Sequence, residues 1–205
     1  MPPSETTPAE PPSRATGRVR WKRFAVLFLP AMVAAGTLVG LTAEGVLAAS
    51  ISVSGSAFEV SSTQLQGTGF EQFGGVVQEK NGVKHLVAIS AIGHATLANL
   101  CQSVSVPGTS LTMRLTAGSG GTPASATNLI VDADHLAGNA TFHNITIGQD
   151  ASTLTEVPGV GGQPGSFGQQ ATAVTIDNLR QHTWLTTAGT FKLPGLSLGF
   201  GSKCY

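Results

Sequence analysis

Hydrophobic positions fall into two unlike patterns along this 205-residue chain. Residues 24–43 form an uncharged, mostly apolar run of twenty, interrupted by Pro30, Gly36 and Gly40. At about 1.5 Å per helical residue the run reaches about 30 Å, the thickness of a bilayer's hydrocarbon core, and it predicts one membrane-spanning or signal helix. Beyond Ala49 the apolar residues recur at short spacing, with no long 3.6-residue period. Runs at 51–60, 76–79, 83–89, 110–116, 128–132, 141–147, 173–176 and 190–198 are bounded by Gly, Pro or Asn, and they predict strands. Lys80-Asn81-Gly82 separates two of them and predicts a hairpin with φ > 0 at both Asn81 and Gly82. Residues 118–122 and 158–168 read as loops, the second long enough to be mobile or to hold a site.

The expected fold is therefore all-β, an antiparallel β-sandwich or curled sheet behind one N-terminal transmembrane or signal helix. Three parts follow: a polar and basic leader at 1–23, the span at 24–43, and an extracytoplasmic β domain at 44–205. A loose repeat, Val-x4-Leu, starts at Val60, Val131 and Val174. It suggests duplicated units, each a strand turning at a Leu that plugs the core.

The flanks of the span set its direction. Arg14, Arg18, Arg20, Lys22 and Arg23 precede it, so the N-terminus stays inside and the β domain lies outside. Trp21, Lys22 and Arg23 suit a membrane anchor at headgroup level. The run exceeds the 7–15 residues usual for a signal peptide's apolar core, which favours a retained anchor in the cytoplasmic membrane. Val46 and Ala48 suit a cleavage site, and secretion after cleavage near Ala48 is the alternative. Gly36 and Gly40 form a GxxxG that would allow a weak dimer.

Composition narrows the partners. Residues 50–205 carry six basic side chains against eight acidic ones, a net charge of −2, so there is no basic face for nucleic acid. Cys101 and Cys204 are the only cysteines and both follow the span. Exported proteins sit where disulfides persist, and the two are expected to pair.

Candidate chemistry is sparse. Gly195-Leu196-Ser197-Leu198-Gly199 matches the G-x-S-x-G of hydrolase nucleophile elbows, and a triad of Ser197, His182 and Asp177 can be written. The elbow needs a helix after the Ser, yet only six residues follow Gly199. The plainer reading is an alternating strand with Ser197 on one face and Leu196 and Leu198 on the other. Asp132 and Asp134, with Asp150 or Asn139, offer too few oxygens for calcium, and the five histidines are scattered, so neither metal nor cofactor is expected. Asn139 and Asn144 begin glycosylation sequons.

Several segments together carry a resemblance: Trp21-Lys22-Arg23-Phe24, Ala49-Ser50-Ile51-Ser52-Val53-Ser54-Gly55, Leu100-Cys101-Gln102-Ser103, Arg114-Leu115-Thr116-Ala117-Gly118 and Thr187-Ala188-Gly189-Thr190-Phe191. They resemble a family of small actinobacterial exported proteins, many of which carry the label cholesterol esterase. The resemblance implies membrane placement and a shared fold, and it transfers no catalytic residues. Two functions stand as expectations. One is a non-catalytic cell-surface domain, structural or lipid-binding, in contact with membrane, lipid or another membrane protein. The other is a lipid-ester hydrolase using Ser197.

Overall fold

A computed structural model describes residues 51–205. The span at 24–43, its flank Trp21, Lys22 and Arg23, the Gly36 and Gly40 pair and the cleavage position at Ala48 lie outside the described residues. Nine strands follow in order: β1 (Phe58–Gln78), β2 (Lys84–Ala98), β3 (Leu100–Ser105), β4 (Thr112–Ala117), β5 (Ala124–His143), β6 (Thr146–Asp150), β7 (Phe167–Thr187), β8 (Thr190–Lys192) and β9 (Ser197–Phe200). Their ladders are all antiparallel.

The sheet closes on itself. β1 pairs with β2, β2 with β5, β5 with β7, and β7 again with β1. This is the curled sheet of the two expected architectures, not the sandwich. Its interior is packed by Val60, Leu65, Phe70, Ile92, Leu97, Leu129, Val174, Ile176 and Leu179. A straight 21-residue strand would run about 70 Å. Yet the Val53 amide donates to the Gln78 carbonyl at 3.0 Å, and β1 begins only five residues after Val53, a reach of about 17 Å. β1 must therefore coil round the core and return close to its start.

Coiling requires the strands to kink, and the kinks form two rows. In one, Asn128, Gly93, Gly69 and Thr172 lie on neighbouring strands, each at a gap in the ladders where the residues on either side pair. In the other, Thr63 and Asn178 do the same, with Asn99 just beyond the end of the β1–β2 ladder, its side-chain amide donating to Thr63 Oγ1 at 3.1 Å, and Gly138 at a register shift between β5 and β7. Gly69, Asn99, Asn128 and Asn178 all have φ between 47° and 65°. Each kink inserts one residue into the in-out alternation. Leu65 and Phe70, Ala126 and Leu129, and Ile176 and Leu179 are buried on either side of such a residue despite their odd spacing.

The rows explain where the expectations fail. The Val-x4-Leu repeat marks no turn. Val60 and Leu65, like Val174 and Leu179, are five apart and both inward because Thr63 or Asn178 intervenes, whereas Leu136 is partly exposed. The short expected runs are single stretches of longer strands: 173–176 is the part of β7 between its two kinks. Strand β3 and most of β1 lie outside the expected runs, and of 51–57 only Val53 bridges to the sheet. Run 141–147 breaks at Asn144, and 190–198 breaks at the Pro194-Gly195 turn. The hairpin at 79–83 is present, but only Gly82 has positive φ. Gly82 N–H donates to the Glu79 carbonyl at 2.9 Å, a three-residue turn rather than the two-residue form in which Asn81 also flips.

The loop at 158–168 is stitched down. Asp150 accepts hydrogen bonds from Ser152 N–H at 2.9 Å and Gly165 N–H at 2.7 Å. Buried Glu71 accepts from Val157 N–H at 2.7 Å, and Leu154 packs with Phe73. The C-terminal tail is tied as firmly. Cys101 and Cys204 are bonded, Lys203 reaches Glu59 at 2.7 Å, the Cys204 amide donates to Ser103 Oγ at 3.0 Å, and the Tyr205 hydroxyl donates to the Gln181 carbonyl at 2.7 Å.

Replacing Gly69 by Ala should cost about 3 kcal/mol, since φ is +65° and the added Cβ would stand 2.6 Å from the Glu156 carbonyl oxygen. Asn178→Gly should be nearly neutral and Asn178→Val should cost about 2 kcal/mol, both read by urea denaturation. Replacing Cys101 and Cys204 together by Ser opens a link across 103 residues, with an expected loss of up to about 4–5 kcal/mol in the same assay.

Candidate functional site

β3 leaves the closed circuit by pairing with only Glu59, Val60 and Ser61 of β1, and β4 and β9 extend from it. These three strands form a flap whose concave side continues the interior face. Alternation places Val104, Met113, Leu115 and Leu198 on that side, with Leu115 directly opposite Leu198. Phe58 and Phe191 face them across a groove of about 430 Å³, with Ser54, Ser56, Gln102, Ser103 and Thr186 completing the lining. That volume lies within the range of small-molecule pockets. A deeper void of about 30 Å³ shares Gln102, Thr186 and Phe191 with it. No charged side chain lines the groove, and Leu198 is 63% exposed in its mouth.

The G-x-S-x-G segment forms the turn into β9 and the strand itself. Gly195 has φ +65°, and Leu196 N–H donates back to the Leu193 carbonyl at 3.2 Å. Ser197 then points away from the groove, beside Arg114 and Thr116. A chain of paired residues, Ser197, Thr116, Cys101, Ser61 and Arg180, separates it from β7 by four strand spacings. At about 4.8 Å each, that is about 19 Å along the sheet. The structure does not bring Ser197, His182 and Asp177 together. Asp177 accepts from the Gln64 amide at 2.8 Å, and the acid that meets His182 is Asp134, at 2.7 Å from Nδ1.

Asp134 belongs to a second cluster on the outer face. It also accepts from Trp184 Nε1 at 2.8 Å, Trp184 stacks on His85 at 3.5 Å between ring centres, and His85 lies 2.9 Å from Glu79. Partial burial acts to raise the Asp134 carboxyl, but the hydrogen bonds from His182 and Trp184 outweigh it and hold it below the usual range. Asp132 has the opposite fate. It is buried, its Oδ1 has no partner, and desolvation raises it to about 6. Asp132, Asp134 and Asp150 therefore serve separate places, and Asn139 lies opposite Asp177 in the β5–β7 ladder. Among the described residues no three His, Cys, Asp or Glu side chains are grouped to hold a metal ion.

Residues 54–205 match the model of a family of unknown function, DUF6230. The chain belongs to this family. The match takes in every groove residue and both disulfide cysteines. No curated protein and no solved structure matches the chain.

The groove leaves no local mark in the sequence because Phe58, Met113, Leu115, Phe191 and Leu198 come from separate segments. The available signal was local: Met113 and Leu115, like Leu198 and Phe200, alternate with small or polar residues on strands too short to need a second buried face.

Asp132 yields a pH prediction with a definite sign. Its carboxyl is raised on folding from 3.8 to about 6, so folding favours the protonated form. The resulting stabilisation is complete below about pH 4 and is lost as pH rises through about 6. At pH 7.5 Asp132→Asn should be more stable than the parent by up to about 3 kcal/mol, with little difference at pH 3.5, as measured by denaturation at both pH values.

Proposed function

We propose that residues 44–205 form a non-catalytic extracytoplasmic domain that holds an uncharged lipid chain in the groove. On this reading residues 24–43 tether it to the cytoplasmic membrane as a single span, N-terminus inside, with Trp21, Lys22 and Arg23 at the headgroups. One observation carries the ligand class: a groove of about 430 Å³ open to solvent yet lined without a single charge. Apolar surface left uncovered in this way is a binding feature more often than an accident. The Cys101–Cys204 bond supports export, since such bonds persist in oxidising surroundings. The resemblance to actinobacterial exported proteins agrees with that placement. Secretion after cleavage near Ala48, a weak dimer through Gly36 and Gly40, and contact with another membrane protein are compatible with the same groove.

The hydrolase reading rests on the esterase label of the resembling proteins and on Ser197. Nucleophilic catalysis requires a base within hydrogen-bond reach of the hydroxyl, and among the described residues no hydrogen bond joins Ser197 to a histidine.

Native mass spectrometry of the purified full chain should show co-purified lipid, and the chain should bind a dansylated fatty acid. Leu198→Asp should weaken that probe by about tenfold or more without unfolding the domain. No lipid and no probe binding would overturn the assignment. Hydrolysis of p-nitrophenyl butyrate that disappears in Ser197→Ala would replace it with the esterase.

A further inference from the structure

The β1–β2 hairpin extends beyond the closed circuit. β7 pairs with β1 only as far as Phe73, and β5 pairs with β2 only from Ala88. Residues 75–78 and 84–87 therefore pair with no other named strand and form a two-stranded arm, joined at Gln78 only by Val53. One face of the arm is covered: Val77 and Val87 are buried beneath Val53. The other is bare. Val76 and Leu86 lie directly opposite each other and are 54% and 81% exposed, and Val83 at the tip is 48% exposed. Lys80 and Lys84 flank them, exposed and in no ion pair among the described residues. The nearby acid, Glu79, is engaged by His85 at 2.9 Å and Asn81 at 2.9 Å.

We infer that this arm is a bilayer-contact element, placing Leu86, Val76 and Val83 at the membrane interface with Lys80 and Lys84 among anionic headgroups. Bare apolar side chains flanked by two lysines suit the headgroup boundary, where the apolar part leaves water and the ammonium groups meet lipid phosphate. The point at which the chain enters the described domain favours a membrane over a protein partner. Val53 is hydrogen-bonded to Gln78 and bridged to Glu79 beside the tip of the arm, and Ile51 near it is 51% exposed. The inference rests on the proposed tether at 24–43. Only residues 44–50 then separate the span from Ile51, a reach of about 25 Å at most. The arm is thus held near the bilayer by chain length alone. Ser54 and Ser56 of the same entering segment line the groove, so an arm resting on the bilayer keeps that lining close to it.

Both native cysteines are disulfide-bonded, so a new thiol can be labelled selectively. The full chain carrying Leu86→Cys, labelled with an NBD fluorophore, is reconstituted into phosphatidylglycerol and phosphatidylcholine vesicles. Ser119→Cys, exposed in the loop hydrogen-bonded to Asn99 at the other end of β2, serves as the control. The label at 86 should emit to the blue of the label at 119 and be quenched at least about twofold more strongly by doxyl-labelled lipid. Water-like emission at 86 in protein that resists carbonate extraction would overturn the bilayer contact and leave the tether standing. Protein released by carbonate would overturn the tether, and the inference with it. A blue-shifted label at 86 that doxyl lipid does not quench would report a protein contact and also overturn it.

Discussion

The fold depends on a backbone constraint rather than on any one contact. Four strands can close around a core this small only if each bends sharply, and a β-strand bends by giving one residue a conformation outside the β region. Gly69, Asn128 and Asn178 supply that residue within β1, β5 and β7, and Asn99 supplies it between β2 and β3, each with φ in the left-handed range that Gly and Asn tolerate best. Because the kinks line up across neighbouring strands, the whole sheet folds along two lines. The side chains on either side then converge on one interior instead of alternating away from it. Closure also removes sheet edges along much of the four strands, so nearly all their backbone groups are paired internally.

What lies outside the closed circuit accounts for the exposed features. The flap of β3, β4 and β9 continues the inward face without a partner to cover it, and the β1–β2 arm does the same at its tip. The flap would be a weak appendage by itself, attached to β1 by three residue pairs. The tail compensates. Cys204 bonds to Cys101 on β3, Lys203 to Glu59 on β1, and Tyr205 to Gln181 on β7, with Arg180 above its ring at 5.4 Å. One short segment thus ties the flap to β1 and β7.

Much of this is legible in the sequence, but in fragments. All-β character follows from β-branched runs, the hairpin at 79–83 from Asn81-Gly82, and the cysteine pairing from export and count. Strand length does not follow, because the kinks disguise it: a period-two reading stops at Asn128 or Asn178 as though the strand ended there. The clue is the recurring dipeptide at Asn99-Leu100, Asn128-Leu129 and Asn178-Leu179, in which a left-handed Asn precedes a buried Leu. Asn so often marks a turn that it reads as a boundary, as it is at Asn99 between β2 and β3, whereas Asn128 and Asn178 are bends within continuing strands. The groove was illegible for a different reason. Its walls meet only after the sheet closes, and no local spacing records that closure.

The acids with perturbed or unusual surroundings lie away from the groove. The acids with unusual surroundings all serve the outer face or the cover over it: Asp134 with His182 and Trp184, Asp150 at the foot of its loop, and Glu71 and Asp132 buried away from the groove. Burying Glu71 and Asp132 costs stability, and for Glu71 the Val157 hydrogen bond that fixes the loop recovers part of it. None of these groups lines the groove, whose polar lining is limited to Ser, Thr and Gln. On the proposed reading the groove takes its ligand without acting on it, which suits a lining that offers neither a base nor a fixed charge. It can distinguish ligands by shape and apolar area. An amphiphile would therefore leave its charged end at the mouth and bury its chain between Phe58 and Phe191, because a charge drawn further in would find no partner to offset its desolvation.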